Sequence, residues 1–471
     1  MGRILKAVYS NTFNYKGQHN HVSNGLPKLV VDYCSSQAEI ENSWNPPEYA
    51  ERIKQQNANW QGNFNLSNFY YYFQKFYGTE NVISPKQISD DECTYIYPVE
   101  IATTINALYE DHSLTFNGNA VNYKFLDTVD AVSLTHMKAG RLKIVINNIQ
   151  DPITNHSSVR KFELMLSSHG IPTSNLIYIF GNDFNQYYKE YPESKVKILS
   201  GILPLQQQAL AIETSFPSMT SLGYISDIVR YEDIVDKRDH YRSKKFLSFN
   251  RSLRSHRYYL AYLAMEHDLF KNSTLSFINI FHSFQEIKQE IEKFLGYPIA
   301  NEKLDALMAL LPQELDTHHL TLDEKMGFVT NGNKKEWYLE SYIHITSETV
   351  FDVNYDMTPF FSEKTFRPIT NLQPFIFLGN AHSLKKLHEL GFKTFHPVID
   401  ESYDTVDDPV ARMRLIEKEI VKLNELPLKE LHELYHSLES ILLHNFNHFL
   451  TFKNTNPFES ALSKVLTFNE L

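Results

Sequence analysis

A glutamate and a lysine stand side by side at Glu363 and Lys364, within the run FFSEKTFRPITNLQPFIFLGN. A carboxylate accepts hydrogen bonds from vicinal hydroxyls such as those of a ribose, and an ammonium reaches a phosphate. Ser362, just before them, is a residue type that caps helix N-termini. Arg367 follows one helical turn after Glu363, so an exposed Glu363–Arg367 pair worth about 0.3 kcal/mol is the bland alternative. Spacing alone leaves both readings open. Pro368 is tolerated in a first helical turn but beyond it costs a hydrogen bond and bends the helix. A second place of this kind is Arg251, Arg254 and Arg257, directly after the apolar run KFLSFN. Three-residue spacing puts neighbouring arginines on one face once a helix has begun. Arginine at a helix N-terminus opposes the helix dipole, and an anion relieves that conflict. A solvated basic helix start is the alternative. Asn250, Thr346 and Glu348 end the adjoining apolar runs and can line the same pocket, although core or turn roles fit them as well.

The chemistry available to a phosphate ligand is narrowed by what is missing. Glycine is scarce, 16 in 471 residues, about half the usual share of roughly 7%. Neither G-x-G-x-x-G nor G-x-x-x-x-G-K-[ST] occurs, so side-chain cations and helix N-termini must do the work of a glycine cradle. No Asp-x-Asp is present. Asp90-Asp91-Glu92 and Asp407-Asp408 come nearest and read as surface turns. The 20 histidines are read as scattered, with His19 and His21 in a polar loop, and no metal-ligand cluster is expected. No cofactor is therefore expected, and the reaction is expected to run without a metal.

The formal charge of −11 speaks against a broad nucleic-acid-binding face, because phosphate neutralisation needs basic surface. No stable nucleic-acid partner is expected. Cys34 and Cys93 are read as free thiols in a reducing cytosol. The opening MGRILKAVYSNTFNYKG lacks a signal-peptide core, and Lys6 stands where a myristoylation signal wants Ser or Thr. No run approaches the ~20 apolar residues of a membrane span. The expected location is the cytoplasm, with peripheral membrane association left open.

These residues need elements to position them. KLVVDY (28–33) and TYIYPVEI (94–101) read as strands. LKIVINNI (142–149), an amphipathic helix over 157–170 stopped by Gly170, and NLIYIFGN (175–182) form a strand–helix–strand unit. KVKILSGIL (195–203) extends it. After a charged linking stretch at 225–244 the pattern restarts. KKFLSFN (244–250), a basic loop running into a helix over 251–270, TLSFINIF (274–281), a helical region at 284–330, and SYIHITSETVF (341–351) follow in turn. Then come a short helix, PFIFLG (374–379), a helix over 383–392, a short KTFHPV strand and a mostly helical tail from about 408. The fold class is α/β: two Rossmann-like domains facing a cleft. The expected domains are 1–235 and 236–455, and the second carries more of the residues suited to chemistry. A helical tail, 456–471, is expected to pack back on the first.

The run Ser362-Glu363-Lys364 opening a helix, then Gln373-Pro374-Phe375-Ile376-Phe377-Leu378-Gly379, resembles the donor site of nucleotide-sugar glycosyltransferases of the two-Rossmann (GT-B) type. It is most similar to the alpha-1,3-fucosyltransferases. Their upstream strand end, arginine and aromatic helix correspond here to Ser248-Phe249-Asn250, Arg254 or Arg257, and Tyr258-Tyr259. The chain departs from the pattern in Phe-Arg-Pro after Glu-Lys-Thr and in a two-residue offset of the arginines. The resemblance spans roughly 244–395. It implies that Glu363 holds the ribose of a nucleotide sugar, and that Lys364 with Arg254 or Arg257 holds the diphosphate. It also implies transfer of the sugar to a carbohydrate or other hydroxyl acceptor. A general base is expected from the first half, at Asp151 or Asp183, which follow predicted strands, with Glu100 a weaker candidate. A sugar transferase acting on nucleic acid, a non-catalytic nucleotide-sugar binder and a sugar epimerase on the same scaffold are the alternatives.

Overall fold

Runs of β-branched and aromatic residues with no charge between them favour strands buried on both faces, as parallel sheets require. In a computed structural model of the chain, such runs build two parallel sheets. The structure describes residues 4–8, 73, 77–78, 81–83, 85–89, 93–100, 112–116, 119–123, 125–148, 156–181, 185–200, 228–279, 282–313, 335–351, 359–396, 398–452 and 455. The chain divides into two units, Met1–Leu203 with Asn456–Leu471, and Pro204–Thr455.

In the first unit the strands are β1 (Ile4–Val8), β2 (Val82–Ile83), β3 (Cys93–Glu100), β4 (His112–Phe116), β5 (Asn119–Tyr123), β6 (Leu142–Asn148), β7 (Leu176–Phe180) and β8 (Lys197–Ser200). Six of them form one sheet in the order β2-β1-β3-β6-β7-β8, parallel at every pairing, while β4 and β5 pair antiparallel apart from it. Helices α1 (Ala131–Lys138), α2 (His156–Ser168) and α3 (Asn185–Glu190) accompany the strands. Val159, Phe162 and Leu166, spaced for one helical face, pack with Ile144, Ile146, Tyr178 and Phe180 of the sheet. Each such side chain contributes about 1.5–3 kcal/mol on burial. Gly170, at φ +77°, ends α2, and the Ile171 amide returns to the Leu166 carbonyl at 3.1 Å. A left-handed residue is what that closure needs, and glycine takes it without strain. The expected strands at 142–149, 175–182 and 195–203 are present with trimmed ends. β1 and the β4–β5 hairpin were not expected, and KLVVDY (28–33) lies outside the described residues.

The second unit contains β9 (Lys244–Ser252), β10 (Thr274–Asn279), β11 (Ser341–Ser347) and β12 (Phe375–Leu378), ordered β10-β9-β11-β12 and parallel throughout. Around them lie α4 (Ser255–Glu266), α5 (Phe284–Leu295), α6 (Lys335–Glu340), α7 (Glu363–Thr370), α8 (Ser383–Glu389), α9 (Pro409–Glu425), α10 (Leu428–Ser437) and α11 (Glu439–Thr451). Every residue of β11 and β12 is buried. The chain runs from β9 to β10 on one side, then returns to β11 on the other side of β9. Such a reversal leaves a crevice at the carboxyl ends of the two strands, where open α/β sheets bind ligands. Both units are thus Rossmann-like, as the alternating pattern suggests. The expected KTFHPV strand does not form over residues 393–396, and the next residue is not described.

Candidate functional site

Two helix starts meet at the carboxyl end of β11. The first is that of α4. Here β9 runs on to Ser252, so Arg251 belongs to the strand, Arg254 is the N-cap residue and the helix begins at Ser255. Only Arg257 of the three arginines lies within the helix, so they do not share a helical face. The exposed Arg254 donates from Nη1 to the Thr349 carbonyl at 2.6 Å. Arg257 is buried and donates to the Ser347 and Glu348 carbonyls at 2.9 and 2.8 Å, with Nε 3.2 Å from the Ser347 hydroxyl. Burial, together with the charge of Arg254, pulls its pKa down to about 10, which leaves it charged at neutral pH. His256 donates from Nε2 to the Glu348 carbonyl at 3.0 Å, a partner that fixes the proton on that nitrogen. Burial and then the Arg257 charge hold its pKa well below the ordinary value.

The second start is that of α7. Ser362 is its N-cap, as the sequence suggests, and its side chain accepts from the Lys364 amide at 3.3 Å. Glu348, completely buried, reaches this start with its carboxylate. Oε1 accepts from the Ser362 amide at 3.0 Å and from the Thr365 hydroxyl. Oε2 accepts from the Ser362 hydroxyl at 2.7 Å and from the Thr349 amide at 2.9 Å. Glu348 thus braces the backbone. Lys364 Nζ donates to Glu363 Oε1 at 2.8 Å and lies 3.2 Å from Ser362 Oγ. Their side chains keep 23% and 21% exposure, so the pair is reachable from solvent. Burial pushes the Glu363 pKa up, but the charges of Lys364 and Arg367 outweigh it and hold the group below the usual carboxylate range.

The other expected residues have structural settings. Arg367 is buried with its guanidinium 5.8 Å from the Phe249 ring. Thr346 is buried, its hydroxyl 2.9 Å from His344 Nδ1. Asn250 is buried and donates from Nδ2 to the Ser248 hydroxyl at 3.1 Å. Pro368 falls in the second turn of α7, past the tolerated first turn, and the helix stops two residues later. Asp151 and Asp183 lie outside the described residues, and Glu100 ends β3.

Sequence reasoning missed His256 and Thr365, although a histidine between two arginines and a hydroxyl one turn past the cap residue are signals of a kind. The expectation that no His-Glu-x-x-His occurs is also wrong, because His432-Glu433-Leu434-Tyr435-His436 has that spacing of a metal pair. The structure does not converge the two rings on a metal position. His432 donates from Nε2 to the Arg238 carbonyl at 2.8 Å and accepts at Nδ1 from Tyr342, 3.2 Å away, while His436 Nδ1 meets Glu439. Among the described residues no group of three or more His, Cys, Asp or Glu side chains is arranged to hold a metal ion. No described helix is long and apolar enough to cross a membrane.

No protein-family model matches the sequence, and no curated protein does. Among solved structures, the chain is similar to the N-terminal domain of Candida albicans trehalose-6-phosphate phosphatase, with 10% identity, covering 100% of this chain and 97% of that one at a TM-score of 0.38. It is also similar to an alpha,alpha-trehalose-phosphate synthase (UDP-forming) from Burkholderia vietnamiensis, with 11% identity, 97% and 85% coverage and a TM-score of 0.34. The corresponding enzyme of Burkholderia multivorans gives 11% identity, 90% and 78% coverage and a TM-score of 0.31. These findings correct the resemblance to the alpha-1,3-fucosyltransferases. The solved structures that the chain is similar to are trehalose-phosphate enzymes, not fucosyltransferases. At such identities and scores the likeness says nothing about chemistry, which must come from the site.

Proposed function

We propose that the second unit binds the nucleoside diphosphate of a nucleotide sugar, and that the protein is a glycosyltransferase acting on a carbohydrate or other hydroxyl acceptor. The observation that carries this reading is the Glu363–Lys364 pair at the N-terminus of α7, solvent-reachable and beside the β9–β11 switch point. An anion there meets the positive end of α7, the Lys364 ammonium and, from the other helix start, Arg254. A carboxylate next to a phosphate site is repulsive unless it serves a neutral part of the ligand. Glu363 therefore suits ribose hydroxyls, and Lys364 exchanges its bond to Glu363 for one to phosphate. Arg257 acts in this reading by bracing the strand end that carries Arg254's contact.

In the transfer step the acceptor oxygen forms the new bond to the anomeric carbon. The bond to the diphosphate oxygen breaks, its electron pair leaves with the diphosphate, and the acceptor proton passes to a base. Fixed cations then stabilise the departing charge. Asp151 and Asp183 are the proposed bases. The test is a thermal-shift series with GDP, UDP, CDP and dTDP in the presence of EDTA. One of them should raise the melting temperature, because a ligand that binds the native state stabilises it, and Lys364→Ala should remove the shift. No response to any of the four, or to their sugars, would sink the donor-site reading. Slow donor hydrolysis without an acceptor then separates a transferase from a binder.

A further inference from the structure

The geometry points to Glu348 as a positioning residue that fixes the spacing of Arg254 and Lys364, so that the site discriminates a diphosphate from a monophosphate. This inference rests on the donor-site reading above. Glu348 stands where three segments meet. Its carbonyl accepts from His256 at 3.0 Å and from Arg257 at 2.8 Å, both on α4. Its carboxylate accepts the Ser362 amide, the Ser362 hydroxyl and the Thr365 hydroxyl, all at the start of α7, and the Thr349 amide. An ionised carboxylate has about four acceptor positions, and four donors occupy them. The group is fully buried and has no capacity left for a ligand. Its work is internal.

That work has a direction. Arg254 is held on the Thr349 carbonyl, whose own amide is held by Glu348. Lys364 lies against Ser362, whose amide and hydroxyl are held by the same carboxylate. Both cations are thus referred to one residue through at most two hydrogen-bonded steps. A shift of α7 by about 1 Å would stretch most of these bonds beyond hydrogen-bonding distance. One phosphate can be met by either cation alone, whereas two linked phosphates engage both only at a set separation. The advantage of diphosphate over monophosphate is therefore the quantity that the clasp controls.

The experiment measures dissociation constants of the full chain for a nucleoside diphosphate and the matching monophosphate, in Thr365→Val, Thr365→Ser, Glu348→Gln and the wild type. Thr365→Val keeps the side-chain shape and removes one donor to Glu348; Thr365→Ser restores it. The expected result is a diphosphate advantage that shrinks about fivefold in Thr365→Val, stays near the wild-type value in Thr365→Ser, and shrinks further in Glu348→Gln. A purely structural role would lower the melting temperature and leave the ratio untouched, and that result overturns the inference while the donor site stands. Should Glu348→Gln fail to fold, the two Thr365 variants decide the matter. Should the wild type bind no nucleoside diphosphate, the donor-site reading itself falls and Glu348 with it.

Discussion

The starts of α4 and α7 face similar electrostatics and solve them in opposite ways. Both are the positive ends of helix dipoles, which favour negative charge. The start of α4 carries Arg254, His256 and Arg257, has no acidic residue in its first turn and receives no side-chain cap from Arg254. Its positive groups turn backward onto carbonyls at the end of β11, and Arg257 disappears from solvent. The start of α7 has Ser362 as cap, Glu363 in its first turn and the buried Glu348 carboxylate against it. Negative charge is already supplied there, so Lys364 sits comfortably beside Glu363 at the surface. The contrast teaches that an arginine cluster at a strand end need not face a ligand. Here backbone carbonyls take the guanidinium groups, and the buried Arg257 becomes part of the frame.

The sharpest way to break the comparison is Arg257→Met. It leaves the Ser347 and Glu348 carbonyls without their guanidinium donors in a buried setting. Losing such charge-assisted bonds should cost about 3 kcal/mol, a fall in melting temperature of about 6–12 °C for a unit of this size. A variant as stable as the wild type but unable to bind nucleotide would move Arg257 from the frame to the ligand. Next in size is Lys364→Ala. A charge-assisted contact to phosphate is worth about 2 kcal/mol, so nucleoside diphosphate affinity should drop about thirtyfold. Calorimetry at neutral pH checks this, and the unliganded melting temperature should move little because the Glu363–Lys364 pair is partly exposed.

The two starts should also differ in their response to acid. His256 at the start of α4 is held neutral, chiefly by burial and then by Arg257. His344 on β11 is pushed down to about 3 by burial and the Arg367 charge. In both cases the folded pKa lies below that of the unfolded chain, near 6.5. The unfolded state therefore binds more protons below pH 6.5, and stability falls as pH drops from there toward 3. Each histidine contributes a slope of about 1.4 kcal/mol per pH unit within its window. By contrast, Glu363 has a lowered pKa, so its pair with Lys364 is fully formed above the ordinary carboxylate range and is lost only below it. Melting curves between pH 7 and 4 should fall steeply for the wild type and less so for His256→Gln, whose amide retains a donor for the Glu348 carbonyl. An unchanged slope would mean that His256 is protonated in the fold.

Much of this was legible in the sequence. Buried parallel strands announce themselves as short apolar runs, and β6, β7, β9, β11 and β12 were found in that way. Ser362 as cap and Glu363–Lys364 as first-turn residues follow from local chemistry that needs no tertiary information. The role of Glu348 could not be read so. Its place at a strand end was visible, but its partners at Ser362 and Thr365 lie 14 and 17 residues away in the chain. Similarly, nothing local says whether an arginine after a strand turns outward or back onto the neighbouring strand's carbonyls. That choice depends on where β11 ends relative to α4, which is a property of register. β1 was missed because Lys6 interrupts a five-residue run that the sheet nevertheless accepts.

Arg254→Ala is the finest test, because Arg254 stays exposed. It makes a hydrogen bond to the Thr349 carbonyl, on the same strand end that Arg257 braces from within. Exposed contacts of that kind contribute little, so the melting temperature should change by less than the equivalent of about 0.5 kcal/mol. Diphosphate affinity should nonetheless fall by about three- to tenfold, since a second cation meeting the pyrophosphate is worth about 1 kcal/mol. The affinity of Arg254→Ala should also depend less on salt than that of the wild type, because one charge fewer meets the ligand. Arg257→Met and Arg254→Ala would then divide the two functions of one arginine cluster: large stability loss for the first, selective affinity loss for the second. If Arg254→Ala left both stability and affinity unchanged, the start of α4 would be frame throughout, and Lys364 and the α7 N-terminus would have to carry the diphosphate charge.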